Sequence, residues 1–525
     1  MCRTTSKPSG RLLAPLPLPI EPEGNFIMNT RLSSLARPLR TALLPLIAAL
    51  VLAGCASTAD LPAPLTPPVQ FKELTTAKAG VVMAPNQASG TWWRVFNDPV
   101  LDALVDRAAA NNTDIQLAAA RLAEARALAR TVDADRSLQV GVGAGANRQA
   151  GLDRNQSTRP STLLNAGVGA SYELDLFGKL SGASNAAVLD AQSRAALLQS
   201  AKLLVQAEVA QSYLALRAID AERALMLETV VAYRGTLQLT ERRQRAGDLG
   251  ELDVARVQTE LASTESDSLA LDRQRAVMEH ALAVLTGDVA SSFSLSAGEW
   301  TTALPTIPAG LPSTVLERRP DVAAAQKTVL AAQARVGVAQ SAWFPSIALT
   351  GAGGFASPDL GDLFKWSMRS WGIGALLSLP ILDGGRREAG VQGASAQLDG
   401  ALASYRSQVL VAFKEVEDQL SSLRLLDEQS AVQARAVASA KRATVLSDSR
   451  YRNGMVSQLD LLDARRSELR NRRQELQVRS AQYQATVGLI KALGGGWDVP
   501  VVATAANSTG QQEGRATTVA EVLRQ

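Results

Sequence analysis
The chain has 525 residues, 46% of them hydrophobic, but only 9 Phe, 7 Trp and 6 Tyr, fewer rings than a conventional enzyme core of this size uses. A net charge of +4 is too small over this length to argue for nucleic acid as a partner. One histidine (His280) and two cysteines (Cys2, Cys55) exclude a Cys/His zinc site, a disulfide scaffold and a catalytic triad chosen from several histidines. Carboxylate chemistry survives that filter, and no cofactor or metal is expected.

Residues 1–54 form the leader, with a signal peptide over 28–54. Arg31, Arg37 and Arg40 precede the apolar run 42–53, which is too short to span a bilayer. The run ends in Leu52-Ala53-Gly54-Cys55, the pattern of a bacterial lipobox, so Cys55 is the expected lipid anchor, with stable attachment needing more than one acyl chain. Residues 55–98, with Pro62, Pro64, Pro67, Pro68 and Pro85, read as an extended segment. No later apolar run is long enough for a spanning helix, so any membrane crossing must be made of strands.

Prolines are absent between Pro160 and Pro305 and again between Pro380 and Pro500. Residues 183–245 and 388–452, rich in Ala, Leu, Gln, Arg and Glu, predict helices about 95 Å long that must pack along one another. The chain also repeats itself. Asp114 matches Asp321, Gly178-Lys179 matches Gly385-Arg386, Glu208-Val209 matches Glu415-Val416, Gly247 matches Gly454 and Asp253 matches Asp460, each 207 positions apart. A one-residue slip is expected at the end, where Leu285-Thr286-Gly287 meets Leu493-Gly494. The repeats are set at 99–304 and 305–497, with a flexible tail over 498–525.

Each repeat carries two segments of period-two patterning, about 138–148 and 164–177 in the first, 345–356 and 370–382 in the second. Val140, Val142, Val168, Ala170, Tyr172, Trp371 and Ile373 fall on apolar faces; Gly141, Gly143, Gly167 and Gly169 fall on the opposite ones. The lengths suit tilted membrane strands. Four strands cannot close a barrel in lipid, because open edges would leave backbone groups unpaired, so oligomerisation is forced. Three chains would give twelve strands.

These features resemble the outer-membrane factors of bacterial efflux pumps, the TolC/OprM superfamily, in its NodT-type lipoprotein branch. The resemblance rests on Phe96-Asn97-Asp98-Pro99, Ser171-Tyr172-Glu173-Leu174-Asp175-Leu176-Phe177-Gly178-Lys179, Arg318-Arg319-Pro320-Asp321, Trp343-Phe344-Pro345-Ser346, Pro380 to Arg386 and Tyr451-Arg452-Asn453-Gly454. It implies a mixed α/β membrane protein: a homotrimer with a twelve-stranded transmembrane β-barrel in outer-membrane lipid, continuous with a long α-helical barrel. It further implies a passive exit duct for small molecules, joined to a periplasmic adaptor and an inner-membrane RND antiporter. Within the periplasmic tip, Gly247, Asp248, Gly454 and Ser457 correspond to adaptor-docking turns. Asp253, Tyr451, Asp460 and Asp463 correspond to the gate, with cation binding expected at Asp460 and Asp463. Val456 departs from members that carry an arginine there. On spacing alone, Gly247 and Gly454 suit left-handed helix ends, and Asp248-x-x-Glu251 and Ser457-x-x-Asp460 could cap the helices that follow.

Three other readings compete. A type I protein-secretion duct uses the same architecture. A lipid-anchored periplasmic coiled-coil scaffold would lack a pore. A carboxylate enzyme would need a convergent cleft that the helical spacing of the acidic residues does not suggest.

Overall fold
The computed structural model describes residues 70–73, 91–150, 160–305, 307 and 318–495, all within one compact unit spanning residues 59–525. The leader, Cys55 and the tail lie outside the described residues.

Helix α1 (Pro99–Asn111) starts where the Asp98 carboxylate accepts from the amides of Val100 and Leu101, with Pro99 in the first turn, where its missing N–H costs nothing. Helix α2 (Thr113–Ala134) is capped in the same way by Asn112. Strands β1 (Gln139–Gln149) and β2 (Ser161–Leu174) follow, then α3 (Lys179–Arg245) and α4 (Glu251–Leu285). The second half repeats the order: α5 (Pro320–Ser341), β3 (Ser346–Ser357), β4 (Arg369–Ser378), α6 (Arg386–Arg452) and α7 (Gln458–Ala492).

The two long helices have 67 residues each, about 100 Å, and α4 and α7 have 35 each. Helices α2, α3 and α4 each begin 207 positions before α5, α6 and α7. The expected slip is not there: Thr286 and Leu493 are equivalent helix ends, and Gly287 and Gly494 follow them at φ 76° and 93°. An apparent slip arose because Leu285 and Leu493 look alike, although Leu493 occupies the place of Thr286.

A long helix is matched by two shorter ones laid end to end. Asn112, at the start of α2, donates to the Leu285 carbonyl at the end of α4 (3.0 Å). At the equivalent place Arg319 donates to the Ala492 carbonyl (3.2 Å). The abutment is tight: a Cβ on Gly287 would lie 2.6 Å from the Asn111 carbonyl oxygen. Only glycine fits a left-handed turn against that backbone. At this mid-height sits the main core, including Trp92, Phe96, Leu101, Tyr213, Leu214, Trp300 and Tyr483. Helix α7 lies against α3, which joins the two repeats.

The strands form one antiparallel sheet in the order β1-β2-β3-β4. Strand β2 ends at Leu174 rather than 177, because the Asp175 carboxylate turns to accept from the Leu180 and Ser181 amides at the start of α3. Strand β4 ends at Ser378 rather than 382, two residues before Pro380, which has no N–H to offer a ladder.

Candidate functional site
The sheet register decides what each face presents. Val142 pairs with Val168, Val168 with Gly353, and Gly353 with Trp371, so these residues share one face. On that face Val142 is 86% exposed, Trp371 78% and Ile373 83%. The opposite face carries Gly141, Gly143, Gly167, Gly169, Gly354, Gly372 and Gly374 with Asn165, Ser171 and Thr350. The small face has steric consequences: a Cβ on Gly354 would lie 2.3 Å from the Ala166 carbonyl oxygen and 2.5 Å from the Gly167 Cα. Strands β1 and β4 are the two edges, each paired on one side only. Where sheet meets helices, Phe177 and Phe344 stack at 4.7 Å and the Arg387 guanidinium lies 4.6 Å over Trp343. Trp343 and Phe344 are themselves exposed, as rings at a membrane interface are. Among the described residues, no helix is long and apolar enough to cross a membrane.

At the far end, α3 and α6 finish in matching turns. The Asp248 amide reaches back to the Arg243 carbonyl and Gly247, at φ 86°, to Gln244; Met455 and Gly454, at φ 72°, repeat this with Arg450 and Tyr451. Both turns are Schellman motifs. Arg243 ties them together, its guanidinium 4.9 Å over the Tyr451 ring and its Nη2 donating to the Arg452 carbonyl. Gln458 donates across to Thr240 inside the protein (3.0 Å).

The next helices start differently. Ser457 caps α7 in a full capping box: its amide (3.0 Å) and its Oγ (2.6 Å) both donate to Asp460, whose own amide returns to Ser457 Oγ. Those bonds hold the Asp460 carboxyl below its ordinary value. The expected Asp248-x-x-Glu251 cap does not form. The cap of α4 is Gly250, which has no side chain to offer, and Asp248 lies two positions too early. Gly250 is the repeat counterpart of Ser457, and Asp253 that of Asp460.

The expected gate residues therefore sort unevenly. Asp253 faces Arg256 at 3.5 Å. Tyr451 is buried, with no hydrogen-bond partner for its hydroxyl among the described residues; Asp253 and Tyr451 are not joined within one protomer. Asp460 is occupied by Ser457. The Asp463 side chain is 62% exposed and lies 3.3 Å from Arg466, which also binds Glu260 of α4. Neither Arg243 nor Arg466 stands out in the sequence as a site residue, although Arg466, three residues after Asp463 on a helix, has a spacing that points to it.

The family model described as "Outer membrane efflux protein" matches residues 104–288 and 311–495, the two repeats with the same 207-residue offset. The chain belongs to this family. It is 32% identical to the cation efflux system protein CusC of an Escherichia coli strain over 87% of this chain and 98% of that one. It is also 32% identical to the antibiotic efflux pump outer membrane protein ArpC of Pseudomonas putida, over 86% and 94%. The solved outer-membrane channel OprN superposes with a TM-score of 0.79 at 30% identity, covering 84% of this chain and all of that one. The Campylobacter jejuni CmeC outer membrane channel gives 0.78 at 25% identity, over 84% and 95%. The chain is thus an outer-membrane exit duct of an efflux system, in a family whose relatives carry the names of channel and efflux proteins.

Proposed function
We propose that three copies join β1 of one to β4 of the next, closing a twelve-stranded barrel in outer-membrane lipid with the helices continuing as a tube through the periplasm. The carrying observation is the open sheet with one apolar, exposed face and two unpaired edges. In hydrocarbon each unpaired backbone group costs several kcal/mol, so closure stabilises what one chain cannot. The small and polar face then lines the pore. Cys55 carries the lipid that holds each chain to the membrane.

The duct is passive: a periplasmic adaptor docks on the turns at Gly247, Asp248, Gly454 and Ser457, and an inner-membrane RND antiporter supplies the energy. Cargo is set by those partners. Relatives of near-equal identity carry names of cation, antibiotic and toluene efflux.

The resting constriction forms where Asp253, Tyr451, Asp460 and Asp463 approach the axis. Asp463 is the better cation ligand, because its exposed carboxylate has one contact among the described residues, to Arg466 at 3.3 Å, whereas Asp460 already accepts from both the amide and the hydroxyl of Ser457. Three copies of Asp463 around one axis raise each other's affinity for cations. The test is outer-membrane fractionation, an unheated gel and planar-bilayer conductance. A heat-modifiable trimer with discrete openings is expected; a water-soluble monomer after delipidation would end the proposal.

A further inference from the structure
Residues 70–73 sit far from any element of the sheet or the tip, yet they are fixed to the middle of α6. The Phe71 ring is buried against Phe413, 6.5 Å between centroids. The amides of Lys72 and Glu73 both donate to the half-buried Glu417 carboxylate (2.7 and 3.0 Å), and Arg424 holds the Glu73 carboxylate at 3.1 Å. Two backbone donors on one carboxylate, backed by an ion pair, form a charge-assisted clasp rather than a chance crossing. The corresponding face of α3 is covered by the same N-terminal stretch: Gln206, counterpart of Phe413, accepts from Trp92 Nε1 (3.2 Å), and Tyr213 donates to Asp98 (2.8 Å).

The position of the clasp matters. Phe413 lies 27 residues into α6, about 40 Å along the helix from its sheet end. Phe71 lies 16 residues after Cys55, a chain that reaches at most about 55 Å when fully extended. A lipid at Cys55 in the leaflet beside the sheet therefore has only about 15 Å of slack to the clasp.

We infer that Phe71, Glu73, Glu417 and Arg424 form a clip through which the lipid anchor grips α6 at mid-height, holding each protomer upright at a fixed depth and speeding its assembly into the trimer. This rests on the lipoprotein and trimer readings above. A short tether to a rigid 100 Å helix removes tilt and depth freedom before the sheet edges meet, so less entropy is lost on closure.

The test is a pulse-chase of the full chain in cells, reading unheated-gel trimer against time with palmitate labelling in parallel. Three variants are compared: Phe71→Ala, Glu417→Gln, and an insertion of twelve Gly/Ser residues after Ser57, which leaves every clip residue intact. All three should be labelled fully; Phe71→Ala and Glu417→Gln should form trimer about tenfold more slowly, the scale of losing a buried ring or a charge-assisted bond, and the insertion about twofold more slowly, as the tether grows from 16 to 28 residues. Wild-type kinetics in the insertion variant would overturn the tether even if Phe71→Ala misfolds. Wild-type kinetics in all three would overturn the clip. Absence of palmitate from the wild type would overturn the anchor reading itself, and the tether with it.

Discussion

Two adjacent glycines in β3 should respond oppositely to the same methyl group. Gly353 lies on the apolar face, and a Cβ there meets nothing within 4 Å. Gly354 lies on the small face, where a Cβ would stand 2.3 Å from one backbone atom of β2 and 2.5 Å from another. Neither atom is the end of a flexible side chain, so relief requires moving β2 away from β3. Overpacking of this kind costs about 2–3 kcal/mol per site. At one power of ten per 1.4 kcal/mol, that is about 30- to 150-fold in the equilibrium for each chain. Gly354→Ala should therefore lower the temperature at which trimer becomes monomer on gels and slow its formation, whereas Gly353→Ala should match wild type. Equal dissociation temperatures for Gly354→Ala and wild type would refute the reasoning that strand approach at this point forbids a side chain.

Ser457→Ala should raise hydrogen exchange in the first turn of α7 about fivefold, with no matching change at α4, whose Gly250 cap contributes no side chain. Because the Asp460 carboxyl is held below its ordinary value, its contribution is present above the unfolded value near 3.9 and is lost as pH falls through the folded one; the difference between Ser457→Ala and wild type should fade on acidification below about pH 4. Asp463→Ala should reduce cation selectivity and divalent block in bilayers more than Asp460→Ala does, and Arg466→Gln, by freeing Asp463, should raise selectivity. Unchanged selectivity in all three would move the constriction elsewhere. Arg217→Met should cost about 3 kcal/mol, the low end for a broken buried pair, because Asp220 keeps Arg275 at 2.7 Å. It also frees the Ser296 carbonyl that Arg217 holds, so limited proteolysis should find new cuts near residue 296.

Local signals carried much of the fold. Proline-free stretches placed α3 and α6 to within four residues of their starts, and alternation of side chains named the faces that the register later aligned. Ser457 and Asp460 were legible because a capping box is complete within four residues. Asp248 misled because the same spacing occurred two positions before the true cap, and nothing in the residue types distinguishes a helix start from a turn leading to one. The clasp at Phe71 and the Arg319–Ala492 joint were invisible for a different reason. Their partners lie 342 and 173 positions away, and an arginine or phenylalanine has no local pattern that names a distant carbonyl or ring. Tyr451 shows a third case: its position was clear, but its surroundings depend on which helices converge on it.

The single difference between Gly250 and Ser457 bears on the symmetry of the assembled mouth. Two repeats with helices of identical length would, in three chains, give a rim of six staves of equal height. A hydroxyl clamps the first turn of every second stave and leaves its neighbours bare, so stiff and yielding lips alternate around the opening. In the proposed assembly, dilation would begin at the three bare lips, and a partner docked on the rim would meet two kinds of contact rather than one.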